Sequence, residues 1–320
     1  MIVPYKNIVL LILCFTFISD ALIAQEEISK APKNQIEFQH DNDFITLTDR
    51  YYSSGLFLTY RRRLNRGIFP LNTEQPTFNP IVEQLSFQLI QQVFTPSDLD
   101  AIDINMLDRP YAGFTGLETT WSFAKNDWLI APKILIGFTG PSSGAGQFQR
   151  WFHDNVIKFA DPTWVHEIAD SFHFNTQLSV VKEWQLAPNP FGVHLALGSN
   201  VAYGTKDVYV EPEVVLYLGR RNPISSSIAY DQVGSTEREI YFTISVAHRF
   251  VTHNAFLQGN RNGDDSPYTI EPNKNVTLFG MDLYHRSKRN DYKFGYHSIS
   301  KEAPGLMKHK YVSLGYARSF

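Results

Sequence analysis

The chain has 320 residues, with 29 Lys plus Arg against 32 Asp plus Glu and a net charge of −3. No basic stripe stands out, which argues against nucleic acid as a partner. The single cysteine, Cys14, sits in an apolar N-terminal run, so the rest of the chain has no disulfide and no thiolate chemistry.

In chain order, Lys6, the apolar run from Ile8 to Ile18 and the small Ala24 before Gln25 read as an export leader. This predicts a signal peptide over 1–24 and one domain over 25–320. The run is shorter than the roughly 20 residues of a spanning helix. No later stretch reaches the roughly 18 continuous apolar residues of a membrane helix.

Period-two patterning takes over from Gln35 onward. Candidate strands start near Gln35, Gly55, Glu83, Tyr111, Trp128, Ser171, Phe191, Asp207, Glu239, Asn275, Tyr292 and Lys310. From Trp128, one face carries Ile130, Ile134, Ile136 and Phe138, and the other Leu129, Ala131 and Lys133. Phe172, Phe174 and Leu178 oppose His173, Asn175 and Gln177, and Val210 and Val214 oppose Glu211 and Glu213. Such alternation means strands with one apolar and one polar face. A soluble sandwich shares it. Strands of about 10 residues with Tyr and Trp near their ends favour a membrane barrel. The final strand, with Val312, Leu314, Tyr316, Arg318 and Phe320 on one face, resembles an outer-membrane assembly signal. The expected fold is all-β: a monomeric transmembrane antiparallel β-barrel of about twelve strands, with a short helix in an extracellular loop.

If the chain starts in the periplasm, parity puts every polar motif at the extracellular end. These are Asp41-Asn42-Asp43, Asp49 to Gly55, Phe94-Thr95-Pro96, Asp108 to Tyr111, and Gly140 to His153. On a helix, Gln149 and His153 are four apart and share a face.

Several readings stay open for these residues. Asn42 and Asp43 offer the hard oxygens that Ca²⁺ takes, and also read as an Asx turn closing a hairpin. His153 suits proton abstraction from water, or is a loop histidine. Gln149 suits an oxyanion or orients the histidine, or is plain loop polarity. Ser53 is a hydroxyl contact or turn chemistry. Asp49 and Asp108 add acidity, or pair with Arg50 and Arg109. The Arg61-Arg62-Arg63 run reads as a solvated or headgroup-facing patch. With no Gly-x-Ser-x-Gly nucleophile elbow expected and no His-Glu-x-x-His motif, metal-assisted attack by water is the simplest hydrolytic scheme.

Taken together, several linked motifs resemble the lipid A deacylase LpxR family. They are Asp41-Asn42-Asp43-Phe44, Thr48 to Gly55, Phe94-Thr95-Pro96, Asp108-Arg109-Pro110-Tyr111-Ala112-Gly113, and Gly140-Pro141 through Gln149-x-x-x-His153. The resemblance implies a twelve-stranded barrel in the outer membrane of a Gram-negative bacterium, its site between barrel wall and loop helix, facing the extracellular leaflet. It implies Ca²⁺-dependent removal of the 3′-linked acyloxyacyl chain of lipid A, the lipopolysaccharide anchor. In that scheme Asn42 and Asp43 serve the metal, His153 activates water, and Gln149, Asn42 and Ser53 complete the site. Two departures are visible. Ser53 stands where the family has threonine, and a family lysine is missing near Ala101, in a loop holding Asp98, Asp100 and Asp103. Two rivals remain: a barrel phospholipase, and a non-enzymatic channel with His173, Asn175, Gln177, Glu211 and Glu213 facing its lumen.

Overall fold

Strands with one polar and one apolar face must hide the polar face when the other meets lipid, and a closed barrel does so without leaving an edge. The computed structural model describes residues 31–43, 48, 50–64, 81–157 and 161–320. The leader expected over 1–24, and the motif residues Phe44 and Asp49, lie outside the described residues.

Twelve antiparallel strands close into one barrel, with β1 paired to β12 from Gln35↔Ser319 to Asn42↔Val312. They are β1 (Asn34–Asn42), β2 (Tyr51–Arg63), β3 (Val82–Thr95), β4 (Ala112–Lys125), β5 (Trp128–Thr139) and β6 (Ser171–Ala187). They continue as β7 (Val193–Gly204), β8 (Asp207–Arg220), β9 (Glu239–Asn254), β10 (Asn275–Ser287), β11 (Asn290–Ile299) and β12 (His309–Ser319). Every expected strand is present. β2 starts at Tyr51, ahead of the expected Gly55, because the chain bulges at Ser53 and pairing then resumes. The expected helix is α1 (Ala145–Phe152), followed by a π-helical turn, His153–Ile157.

The two faces separate as the alternation requires. Ile130, Ile134, Ile136, Phe138, Phe172, Phe174, Leu89 and Leu58 are exposed outward as an apolar belt. Lys133, Ser179, Glu211, Glu213 and His297 line two neighbouring lumen chambers of about 300 and 390 Å³. One end of the barrel carries tight hairpins at Asn126 and Lys288, both at positive φ, as such turns demand. The other end carries α1 and the β3–β4, β5–β6, β9–β10 and β11–β12 loops.

Described side chains fill the lumen at both ends. At the hairpin end the segment 221–238 folds inward, burying Ile224, Ile228 and Val233. Gln84 bonds the carbonyl of Asp231 and accepts the N–H of Val233. Asp231 also pairs with Arg61 and Lys293, and Arg61 with Glu37. Arg61 is therefore an inward lumen ion-pair residue, not part of a solvated patch. At the loop end Tyr52, Phe94, Phe114, Ile168 and Phe256 pack into one cluster. His173 and Asn175 face inward as expected, bonded to Thr139 and to the carbonyl of Asp207. This filled lumen weakens the channel reading.

Candidate active site on the outer wall

β1 delivers the first pair of residues. Its odd positions point inward, where Asp41 accepts the hydroxyls of Tyr52 and Ser313, so Asn42 faces outward. The β1–β2 ladder continues past Asn42↔Ser54, with the N–H of Asp43 donating to the carbonyl of Ser53 at 3.4 Å. Asp43 Oδ2 accepts the Thr48 hydroxyl and the Arg50 backbone N–H, each at 2.9 Å. These bonds fix a buried carboxylate beside Asn42. Part of the turn-closing reading of Asp43 is thus correct, and it leaves a hard-oxygen pair positioned.

The bulge decides which way Ser53 points. Tyr52 opposes Phe94 and Ser54 opposes Val93, so Ser53 is the extra residue. Bulges commonly re-aim side chains beside functional sites. Tyr52 points inward, and the Ser53 hydroxyl meets the outward-facing Thr95 hydroxyl at 2.7 Å. Tyr51, just before it, holds a left-handed φ of 62°, uncommon for a bulky residue. Its hydroxyl donates to Asp108 at 2.9 Å and accepts the N–H of Met307. Asp108 thus bonds Tyr51, whereas Arg109 turns to the carbonyl of Phe256 and to Glu302.

α1 lies against the same outer wall. Val93, Tyr111, Ala145 and Trp164 form one buried cluster, and Val93 is flanked in the sheet by Ser54 and Gly113. The fit rests on Gly113: a Cβ there would lie 2.2 Å from Ser143 Oγ and 2.4 Å from Ala145 Cβ. Thr115 donates to the carbonyl of Ser143 at 2.6 Å. Ala145, Gly146, Gln149 and His153 make up the buried side of the helix. Gln149 Oε1 accepts the Trp164 indole N–H at 2.8 Å, and Trp164 lies over Tyr111 at 5.1 Å. His153 is 2% exposed, with its backbone N–H on the carbonyls of Gln149 and Arg150.

The sheet thus sets Asn42 and Ser53 on one stretch of outer wall, with Asp43 at the strand end beside them, and α1 sets Gln149 and His153 on the adjoining stretch, joined through β3. The donors at Asn42 and Asp43 are all hard oxygens, as Ca²⁺ requires. Among the described residues no group of three or more His, Cys, Asp or Glu gathers as metal ligands. An ion held here would therefore also draw on amide, carbonyl and water oxygens.

Sequence reasoning missed three features. Trp164, which orients Gln149, carries no motif. Gly140-Pro141-Ser142-Ser143-Gly144 does spell Gly-x-Ser-x-Gly, yet Ser142 is exposed in a 3₁₀ turn while His153 is buried against the wall. That arrangement does not support a nucleophile elbow. Ala101, the expected place of the missing family lysine and so not one of the three, is buried, and its carbonyl takes the Thr163 hydroxyl.

The third is Glu167, whose Oε1 is buried without a hydrogen-bond partner. Burial, then Asp170, push its pKa from 4.5 up to about 8, against Arg150 and the N–H of Gly113. A raised carboxyl pKa stabilises the fold below the ordinary value and loses that stability as pH rises through about 8. The urea midpoint should therefore fall from about pH 5 to about pH 9, and Glu167→Gln should flatten that slope. Equal slopes for both proteins refute the assignment.

Comparison with known proteins supports the family and the fold. The family model described as "Outer membrane protein LpxR" matches residues 9–320. The solved LpxR from Salmonella typhimurium is similar at 18% identity and a TM-score of 0.72, covering 89% of this chain and 100% of that one. An outer membrane channel from Pseudomonas putida F1 reaches 11% identity, a TM-score of 0.47 and coverages of 94% and 99%. The translocator domain of autotransporter NalP from Neisseria meningitidis reaches 9% identity, a TM-score of 0.42 and coverages of 96% and 94%. No curated protein matches the chain. On the family match, and with a closed twelve-stranded barrel under it, the chain belongs to the LpxR family of outer membrane proteins.

Proposed function

We propose that this chain is a monomeric Ca²⁺-dependent esterase that removes the 3′-linked acyloxyacyl chain of lipid A, at the extracellular end of the barrel. The observation that carries the reading is the Trp164 to Gln149 bond on a helix pinned to the outer wall. With Oε1 occupied by the indole, the Gln149 amide presents its NH₂ as donor.

His153, as neutral imidazole, takes a proton from water as the water oxygen attacks the ester carbonyl. Gln149 donates to the oxyanion that forms. Collapse breaks the bond to the sugar oxygen, which recovers the proton from His153. Asn42 and Asp43 would hold the Ca²⁺, which when bound polarises the ester carbonyl. Ser53, fixed by Thr95, supplies a hydroxyl contact beside them.

Mass spectrometry of lipid A after incubation with the detergent-folded protein tests this. Loss of one acyloxyacyl mass with Ca²⁺, and none with chelator, is expected. Asp43→Ala should raise the Ca²⁺ needed for half-maximal activity by about tenfold or more, since one charged ligand is lost. An unchanged titration removes Asp43 from the metal site. Free fatty acid released from glycerophospholipid instead would establish the phospholipase alternative.

A further inference from the structure

The wall-facing side of α1 is accounted for by the site. Its other side presents Trp151, which is 56% exposed, backed at 6.1 Å by Phe148, a half-buried ring that also packs against the wall-side cluster and has Phe152 stacked on it at 6.2 Å. Arg150 is the only basic residue on the helix. A water-facing surface helix carries polar residues there, so this exposed indole needs a partner.

Position supplies one. The helix is rooted beside the end of the apolar belt: Thr115, which holds the carbonyl of Ser143, is the cross-strand partner of Phe138. Phe138 points outward and meets the outward Phe172 edge-on at 5.4 Å. Because α1 lies on the outside of the wall, its far side continues the barrel's lipid-facing surface. The β3–β4 loop adds exposed Ile102 and Met106, tied by His166 and Thr163 to the segment that carries Trp164.

From this juxtaposition we infer that α1 is an interfacial helix, with Trp151 seated in the acyl–headgroup boundary of the membrane leaflet, Ile102 and Met106 beside it and Phe148 and Phe152 packed behind it. Indole suits that layer, with an apolar body and a polar N–H. The leaflet then forms the far wall of the crevice, and a lipid enters sideways without leaving the membrane. The seating rests on the outer-membrane barrel alone; sideways entry also rests on the proposed esterase.

A nitroxide attached at Trp151→Cys, with Cys14→Ser removing the native thiol, tests the seating in vesicle-reconstituted full-length protein. Oxygen should relax this label more than an aqueous nickel chelate does, and a label at Asp127→Cys in the hairpin turn should show the reverse. A heat-modifiable gel shift confirms that each variant is folded. Greater nickel than oxygen relaxation at position 151 in a folded barrel overturns the inference. The readout needs no turnover, so a lipid-seated helix without hydrolysis would fault only the esterase reading.

Discussion

His153→Ala is expected to lower lipid A hydrolysis by about 10²–10⁴-fold, the range for loss of a positioned general base. Km should change far less, because the imidazole acts on water rather than on the bound lipid. The barrel should remain intact, since His153 follows α1 on the outside of the wall and no strand pairing involves it. A retained boiling-dependent gel shift alongside lost turnover is the expected pair of results. Wild-type turnover in the folded variant removes the histidine from the mechanism.

Gly113→Ala is expected to be nearly as damaging, without deleting any reactive group. The added methyl falls 2.4 Å from Ala145 Cβ, far inside contact distance, and Ala145 starts the helix that carries Gln149 and His153. Ser143 Oγ can rotate away, but the Ala145 Cβ moves only with the helix. A shift of about 1 Å at reacting groups costs on the order of 10²-fold in rate. Turnover should fall on that scale with the gel shift kept. Unchanged turnover would show that α1 need not sit this close to β4.

Much of the fold was legible because one physical rule, lipid outside and water inside, imposes period two on nearly every strand. The faces expected for Trp128–Phe138 and Phe172–Val181 are the observed ones. Parity also grouped the polar motifs at one end, and helical spacing put Gln149 and His153 on one side of α1. Alternation could not orient Ser53. Counting back from inward Arg61, Thr59 and Phe57 turns Ser53 to the lumen, but one bulged residue puts it beside Thr95 on the outside. Nor could composition reveal Arg61 as a lumen ion-pair residue, because its partner Asp231 is remote in sequence and meets it only through the folded-in segment. Trp164 and Glu167 were invisible for the same reason: their partners, Gln149 and Gly113, are set by packing of a loop.

The external position of the candidate site changes how the proposed catalyst is to be measured. Its substrate would be confined to a sheet of lipid, so bulk molarity loses its meaning, and rates should follow surface mole fraction. Diluting the target lipid with inert lipid at fixed total lipid should slow the reaction, while adding more vesicles of unchanged composition should not. Leaflet fluidity becomes a kinetic variable, because a gel-phase bilayer limits encounter even when every residue is in place.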